Sequence, residues 1–372
     1  MMFAVPRPIA NLPWVMLLSV MLIGGVGLLT LYSTAGGSLD PWALRQGMIF
    51  AVVFAAALVI RLFPENFIKS LTPIAYVGVL LLLVLVEVMG HVGKGAQRWI
   101  DLGFMKLQPS EFMKPVIVLV LAYFYELLPA GDLRRLRAIW PAALLIGIPV
   151  MLVLLQPDLG TALAICFVGV VVMFLAGLPL WYFVSAGLVM LAALPVAYAL
   201  MHDYQRRRVL IFLNPEEDPL GAGYHISQSK IAIGSGGTWG KGYLDGSQSH
   251  LQYLPEGHTD FIFSAMVEEW GLVGGVVLII AFAVLIGWGL KLARTAPTRF
   301  ARLASAGLTS NIFFYVAVNL MMVMGMAPVV GIPLPLVSHG GSTVMTVMLS
   351  IGVLMAFDRQ RKNSPRYVAE DD

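Results

Sequence analysis

Apolar runs of about twenty residues recur ten times along this chain, and each is long enough to cross a hydrocarbon core of about 30 Å. The runs lie near residues 13–33, 43–62, 71–90, 110–127, 138–155, 159–177, 180–201, 261–290, 304–326 and 342–358. They are too long and too uniformly apolar for barrel strands, so the backbone must be hydrogen-bonded within helices. The sequence therefore predicts an all-α, polytopic integral membrane protein with about ten transmembrane helices, forming a single domain over residues 1–372. Only 12% of the residues are charged, about half the fraction of a soluble domain.

The placement of lysine and arginine predicts which side of the membrane each loop faces. An even number of spans puts both termini on one side, and cytoplasmic loops carry the excess of positive charge. With cytoplasmic termini, fourteen basic residues fall in the inner loops and tails, some of them in the polar tail 359–372. Only three fall in the short outer loops. Both termini are therefore predicted to be cytoplasmic, and the long polar loop 202–260 to be extracytoplasmic.

This topology places all of the histidines and several other charged side chains on the outer face. All six histidines fall there, together with Asp158, Asp260 and the pair Glu111 and Lys114. The single cysteine, Cys166, excludes an intramolecular disulfide bond. No internal repeat is evident, which weakens an interpretation as an inverted-repeat transporter. A functional site is therefore expected at the outer face.

Asp260 lies where the long outer loop re-enters the membrane, directly before the eighth apolar run. A carboxylate there can do chemistry at the bilayer surface, bind a molecule that lies there, or only cap the helix. His258 stands beside it, and the rise of a helix would place Glu268 and Glu269 about 12–14 Å deeper in the membrane. Buried acids near other acids tend to have raised pKa values, which suits a carboxylate to act as a base. We therefore predict Asp260 to be the central functional residue.

Two short clusters supply further charged groups near the outer face. Glu111 and Lys114 are three residues apart and share a helix face, so they are expected to neutralise each other. A compatible interpretation is that Lys114, together with Arg98, faces a polar cavity and meets an anionic head group. Ser110 is a candidate N-cap of the fourth span. Asp158 is expected to cap the sixth span, with a part in the outer cavity as the alternative.

The long loop contains basic and glycine-rich segments that leave more than one interpretation open. Arg206 begins a run of three arginines, whose partners are either lipid phosphates or a substrate that carries a pyrophosphate. The glycines between 234 and 246 are expected to supply tight turns and close backbone approach. The segment around Lys241 resembles the end of a phosphate-binding loop, but its flanking residues do not complete that motif.

Nine motifs spread over nearly the whole chain carry a resemblance to a known family. They are Lys94-Gly-Ala-Gln-Arg-Trp99, Gln108-Pro-Ser-Glu111, Gln156-Pro-Asp-Leu-Gly-Thr161, His202-Asp-Tyr-Gln-Arg206, Asp218-Pro-Leu-Gly-Ala-Gly-Tyr-His225, Gln228-Ser-Lys-Ile-Ala-Ile-Gly-Ser-Gly-Gly237, Gly240-Lys-Gly242, Leu254-Pro-Glu-Gly-His-Thr-Asp-Phe-Ile-Phe263 and Pro333-Leu-Pro-Leu-Val-Ser338. With these motifs the chain resembles the SEDS family (shape, elongation, division and sporulation), and its elongation branch, RodA, more than its division branch. Asp260 corresponds to the functional aspartate of the family. Gly257 and His339 look like ordinary variation in the flanks.

The resemblance implies a peptidoglycan glycosyltransferase of the bacterial inner membrane that serves cell elongation and rod-shape maintenance. The implied substrate is lipid II, a disaccharide-pentapeptide on undecaprenyl pyrophosphate, which is polymerised into β-1,4 glycan. A divalent cation, Mg²⁺ or Mn²⁺, is the implied cofactor. The implied partners are a class B penicillin-binding protein that supplies the transpeptidase and the elongation machinery of MreB, MreC, MreD and RodZ. No nucleic acid is implied.

The residues fit an inverting displacement. Polymerisation converts an α-linked pyrophosphate donor into a β-linked glycan, so the reaction needs a base for the acceptor hydroxyl and positive charge for the departing pyrophosphate. Asp260 is the expected base, although a role as metal or substrate ligand stays open. The residues expected to bind substrate are Lys114, Glu111, Arg98, Arg206, Lys241 and His258.

Two other classes of function stay open at this point. A lipid II flippase needs polar residues along a route through the bilayer, and the predicted clustering of charge at one face disfavours it. A scaffold that activates a class B penicillin-binding protein needs no chemistry of its own. Polymerisation of lipid II by the purified chain would separate these alternatives from the enzyme.

Overall fold

The computed structural model describes residues 12–89, 91–93, 96–101, 103, 106–133, 135–200, 206, 210–211, 222–251, 253–254 and 256–363. The α-helices within these ranges are α1 (Trp14–Thr34), α2 (Ala43–Ile60), α3 (Glu65–Met89), α4 (Pro109–Leu127), α5 (Trp140–Leu155), α6 (Leu159–Leu175), α7 (Leu180–Leu200), α8 (Ala222–Gly236), α9 (Ser247–His250), α10 (Ile262–Thr295), α11 (Arg299–Val323) and α12 (Gly341–Lys362). Short 3₁₀ turns at Ala130–Asp132 and Leu136–Ala138 connect α4 to α5.

The ten longest of these helices each overlap one predicted apolar run. Seven helical segments in the described part of the chain are long and apolar enough to cross a membrane, and the apolar segments of α6 and α7 are shorter. The all-α membrane fold is therefore confirmed, while the number of ten spans stays a prediction. α12 continues to Lys362, so the polar tail predicted to begin at 359 starts as helix.

Two apolar clusters fill the helix bundle. One joins α1, α2, α10, α11 and α12, and the other joins α3, α4, α5 and α6 with the chain around 292–308. Because lipid is as apolar as the side chains, helices in a membrane associate mainly through close packing of small residues. The contact between α12 and α2 is an example, since a Cβ at Gly352 would lie 3.0 Å from the Cα of Ala57.

A small antiparallel sheet, which the sequence analysis did not predict, lies between α3 and α4. Its strands are β1 (His91–Gly93), β2 (Ala96–Asp101) and β3 (Lys106–Leu107), in the order β1-β2-β3. The Asp101 carboxylate accepts a hydrogen bond from the Gly103 amide at 2.8 Å, and Gly103 has a φ of +82°. This tight turn follows β2, the strand that carries Arg98 towards the helix ends.

The glycine-rich part of the long loop docks against a break in α10. Gly271 interrupts the helix with φ 68° and ψ −169°, and the Leu272 amide donates to the carbonyl of Gly237 at 2.9 Å. A Cβ at Gly240 would lie 2.0 Å from the carbonyl oxygen of Glu269, so only glycine fits there. The close backbone approach predicted for these glycines is confirmed, and α8 also packs against α10.

The predicted depth of Glu268 and Glu269 is wrong, because their side chains contact the end of α1 and the long loop. Glu269 accepts a hydrogen bond from Ser33, one residue before the end of α1. Glu268 pairs with Lys241 of the loop at 2.6 Å. Both acids therefore lie at the end of the bundle where α1 ends, against the loop that was predicted to be outside. Lys94 and the arginines at 207 and 208 lie outside the described residues.

Candidate active site

A cavity of about 320 Å³ lies at the end of the bundle where α11 ends and α4, α6 and α12 begin. It is called the Asp260 cavity below. Its polar and aromatic lining consists of Arg98, Trp99, Gln108, Glu111, Lys114, Asp158, Thr161, Thr259, Asp260, Tyr315, His339 and Thr343. These residues come from β2, four helices or their first turns and two connecting segments, so the cavity exists only in the folded bundle.

Asp260 lies in the wall of this cavity, half-buried, in the turn before α10. Phe261 occupies the N-cap position of α10, and no side chain makes the capping hydrogen bond. The Asp260 carbonyl accepts a hydrogen bond from the Asn319 amide nitrogen at 2.9 Å, and the same amide bonds the Ile332 carbonyl at 2.8 Å. Asn319 of α11 therefore fixes the backbone of Asp260, while Phe261 rather than Asp260 holds the cap position.

Glu111 and Lys114 form a buried ion pair at 2.5 Å on the first turns of α4. The Lys114 ammonium also donates to the Tyr315 hydroxyl at 2.6 Å, and the Thr343 hydroxyl donates to Glu111 at 3.1 Å. Glu111 is 4% exposed and Lys114 is 1% exposed, so each charge depends on the other. The neutralising pair predicted from the sequence is present, and both side chains also line the Asp260 cavity.

Arg98 reaches from β2 to the junction of α5 and α6. Its guanidinium donates to the carbonyl of Gln156 at 2.7 Å and to the carbonyl of Pro157. These carbonyl partners use two of its hydrogen-bond donors and do not cancel its positive charge. Arg98 therefore contributes a net charge to the cavity, whereas Lys114 is paired with Glu111.

Asp158 both caps α6 and lines the cavity, so the predicted N-cap role and the alternative position in the outer cavity are both present. One carboxylate oxygen accepts from the Thr161 amide at 3.1 Å, and the other accepts from the Gln108 side chain at 2.9 Å. The predicted N-cap role of Ser110 is wrong, because Gln108 occupies the N-cap position of α4. The hydroxyl of Ser110 instead accepts a hydrogen bond from Gln108 at 3.1 Å.

Two histidines hold the segments beside Asp260 together. The His258 ring stacks on Trp42 with the centroids 4.1 Å apart, and its carbonyl accepts from the His339 amide at 2.9 Å. The pKa of His339 is lowered to about 4. Burial is the largest cause, and the nearby His258 and Arg45 contribute to the same shift. His339 is therefore neutral at pH 7 and lines the cavity, although the sequence analysis treated it as variation.

The pKa of His339 predicts an acid-sensitive contribution to stability. Because the pKa in the folded chain lies below its ordinary value of 6.5, the unfolded chain binds more protons between about pH 4 and 6.5. Stability from this group is complete above that window and is lost as the pH falls through it. The free energy of unfolding should therefore be larger at pH 7 than at pH 4, and we expect His339→Gln to reduce this difference by about 2 kcal/mol. Apparent melting temperatures in detergent across that range test this, and identical pH profiles for the two proteins would contradict it.

The sequence analysis missed further residues of the site, Tyr315, Asn319 and Thr343. A signal for two of them exists in α11, where Asn311, Tyr315 and Asn319 recur every four residues and so share one helix face. All three are buried, which marks a polar stripe inside an apolar bundle. Thr343 has no comparable local signal.

Arg206 and Lys241 do not line the Asp260 cavity. Arg206 donates to the carbonyls of Tyr198 and Ala199 near the end of α7, where a cation complements the helix dipole. Lys241 is bonded to Glu268 and to the Ser247 hydroxyl. The structure thus brings Asp260, Arg98, Glu111 and Lys114 together, while the His258 ring stacks on Trp42 outside the lining of the cavity.

A family model described as "Cell cycle protein", which covers FtsW, RodA and SpoVE, matches residues 10–363. The chain belongs to this family. It is 44% identical to the peptidoglycan glycosyltransferase MrdB of Escherichia coli K12 over 338 residues, which cover 90% of each chain. It also resembles the solved structure of the Thermus thermophilus rod shape determining protein RodA, with 31% identity, a TM-score of 0.70 and coverage of 94% of this chain and 97% of that one.

A second solved structure that resembles this chain comes from an assembly of proteins. It is described as "Structural coordination of polymerization and crosslinking by a peptidoglycan synthase complex" and is 34% identical to this chain. Its TM-score is 0.81, and the match covers 94% of this chain and 98% of that one. Together with the apolar helices, these relatives identify a multi-pass protein of the inner membrane.

Proposed function

We propose that the Asp260 cavity is where this chain polymerises lipid II into glycan, on the extracytoplasmic face of the membrane. The chain is a peptidoglycan glycosyltransferase of cell elongation, as its 44% identity to such an enzyme indicates. The observation that supports the assignment of the cavity is the joint presence in its lining of the Asp260 carboxylate and the Arg98 guanidinium, beside the Glu111–Lys114 ion pair and the Asp158 helix cap. A base and a site for an anionic leaving group are the two requirements of this chemistry.

The proposed reaction is a single displacement at the anomeric carbon of the donor sugar. The 4-hydroxyl oxygen of the acceptor forms a bond to that carbon, while the bond between the carbon and the pyrophosphate oxygen breaks. The proton of the hydroxyl passes to the Asp260 carboxylate, and the electron pair of the broken bond leaves with the pyrophosphate. Attack from the opposite side converts the α-linked donor into a β-linked product. Asn319, which holds the Asp260 backbone, positions the base.

Positive charge for the leaving group comes mainly from Arg98 in this proposal. The guanidinium of Arg98 is held by two carbonyls and keeps its charge, and its planar donors suit phosphate oxygens. Lys114 is already neutralised by Glu111, so its contribution is to orient hydrogen bonds rather than to add net charge.

Replacing Arg98 tests this role. We expect Arg98→Gln to lower kcat for lipid II polymerisation on the order of 100-fold, because one fixed charge at the leaving group is lost. Arg206→Gln is the matched control, since Arg206 also bonds carbonyls but lies outside the cavity. Initial rates of glycan formation by the purified variants measure the effect. Equal rates for Arg98→Gln and Arg206→Gln would remove Arg98 from the leaving-group site.

A divalent cation, Mg²⁺ or Mn²⁺, fits this cavity only with help from the substrate. No group of three or more His, Cys, Asp or Glu side chains suited to a metal occurs among the described residues. Mg²⁺ is often held by one or two carboxylates together with substrate phosphates. Asp260 would be the protein ligand in that arrangement, and the cation would stabilise charge on the departing pyrophosphate.

The partner that we propose is a class B penicillin-binding protein, which would cross-link the glycan made here. The similarity to a peptidoglycan synthase complex supports this pairing. Assembly with MreB, MreC, MreD and RodZ and cytoplasmic placement of both termini are parts of the same proposal. The flippase alternative is less favoured, because the polar lining of the Asp260 cavity lies at one end of the bundle.

A further inference from the structure

We propose that the opposite end of the bundle carries a binding site for an anionic phospholipid head group. A cavity of about 170 Å³ lies there, where α1 begins and where α10 and α12 end. It is called the basic cavity below. Its charged and aromatic lining consists of Trp14, Trp288, Lys291, Asp358, Arg361 and Lys362.

The basic cavity has three cations and one carboxylate, so it carries a net positive charge. Asp358 is 1% exposed and pairs with Arg361 at 2.7 Å and with Lys362 at 3.2 Å. Arg361 also donates to the Thr295 hydroxyl at 2.8 Å. The buried carboxylate therefore fixes the positions of two cations in the wall.

Lys291 supplies a further positive charge from α10. Lys291 lines the cavity and is exposed, and it forms no ion pair with the residues that the structure describes. Cations near the ends of α10 and α12 complement the helix dipoles. The helix dipoles alone do not explain why these cations line a cavity between the helices. One diester phosphate would offset one of the two positive charges that Asp358 leaves over.

The aromatic and apolar surroundings of the basic cavity favour a lipid over a free phosphate ion. Trp14 is 47% exposed, and tryptophan prefers the interface between head groups and hydrocarbon. Val15 and Leu18 of α1 are 66% and 65% exposed beside it. Acyl chains can lie along this apolar face of α1 while the phosphate meets the cations, so the ligand is amphipathic.

Native mass spectrometry of the full-length chain in detergent tests the site directly. The probes are phosphatidylglycerol and phosphatidylcholine with the same oleoyl chains, so only the head group differs. We expect the wild type to retain one phosphatidylglycerol molecule much more strongly than phosphatidylcholine. Lys291→Gln should weaken phosphatidylglycerol binding about fivefold, the effect of one cation near an anionic surface.

The matched control is Arg294→Gln, which removes an exposed cation one turn further along α10, outside the basic cavity. It should leave phosphatidylglycerol binding unchanged. Equal weakening by Lys291→Gln and Arg294→Gln would show general attraction to charge and overturn the site. Equal retention of the two lipids, or displacement of phosphatidylglycerol by millimolar inorganic phosphate, would overturn the assignment to a lipid.

Discussion

Replacing Asp260 by asparagine is expected to lower lipid II polymerisation on the order of 10³-fold, the range of a general base. Asparagine keeps the shape of the side chain but removes its basicity and its negative charge. The backbone of residue 260 should stay in place, because Asn319 binds its carbonyl rather than its side chain. Expression and melting temperature should therefore remain close to those of the wild type. Gel ladders of glycan made by the purified variant measure the loss.

Asp245→Asn is the matched control for this substitution. Asp245 is an exposed carboxylate of the same long loop and does not line the Asp260 cavity. Its loss should leave the rate of polymerisation near that of the wild type. Glycan ladders from Asp260→Asn at the rate of Asp245→Asn would remove Asp260 from the reaction, whether as base or as ligand.

Lys114→Met is expected to destabilise the protein by about 3–5 kcal/mol, because it leaves the Glu111 carboxylate buried without its cation. Glu111 keeps hydrogen bonds from Tyr315 and Thr343, but neither of these hydroxyl groups carries a charge. The apparent melting temperature in detergent should fall by many degrees. A melting temperature equal to that of the wild type would contradict the interpretation of the pair as mutually dependent.

The double variant Glu111→Gln with Lys114→Met separates stability from chemistry. Glutamine removes the unpaired charge and keeps an acceptor for Tyr315 and Thr343, so more than half of the lost stability should return. If Lys114 orients the pyrophosphate, the double variant should fold and still polymerise lipid II poorly. A double variant with wild-type activity would restrict Lys114 to a structural role.

The long helices could be predicted from the sequence because hydrocarbon thickness fixes their length. Local hydrogen bonds were predictable for a similar reason. Asp158 caps α6 through a contact three residues along the chain, and Glu111 meets Lys114 within one helical turn. Asp260 was singled out because it stands where the long loop re-enters the membrane, beside His258 and shortly before Glu268 and Glu269.

Features that depend on tertiary structure could not be predicted in the same way. Tyr315 meets Lys114 across a sequence separation of 201 residues, and no local pattern encodes that distance. The depth of Glu268 and Glu269 was wrong because helical rise alone does not give the direction in which a helix runs, and contacts with Ser33 and Lys241 place both acids at the end of the bundle. The role of His339 depends on its burial beside His258, which the neighbouring residues in the sequence do not indicate.

The central claim is that this chain itself polymerises lipid II at the Asp260 cavity. The most direct test reconstitutes the purified chain in vesicles with lipid II, alone and with a class B penicillin-binding protein whose transpeptidase serine is mutated. Glycan length and movement of lipid II between leaflets are measured in the same vesicles. We predict uncross-linked glycan that depends on Asp260, with no movement of lipid II beyond that of empty vesicles. Movement of lipid II without any glycan, or glycan that Asp260→Asn makes equally well, would contradict this account.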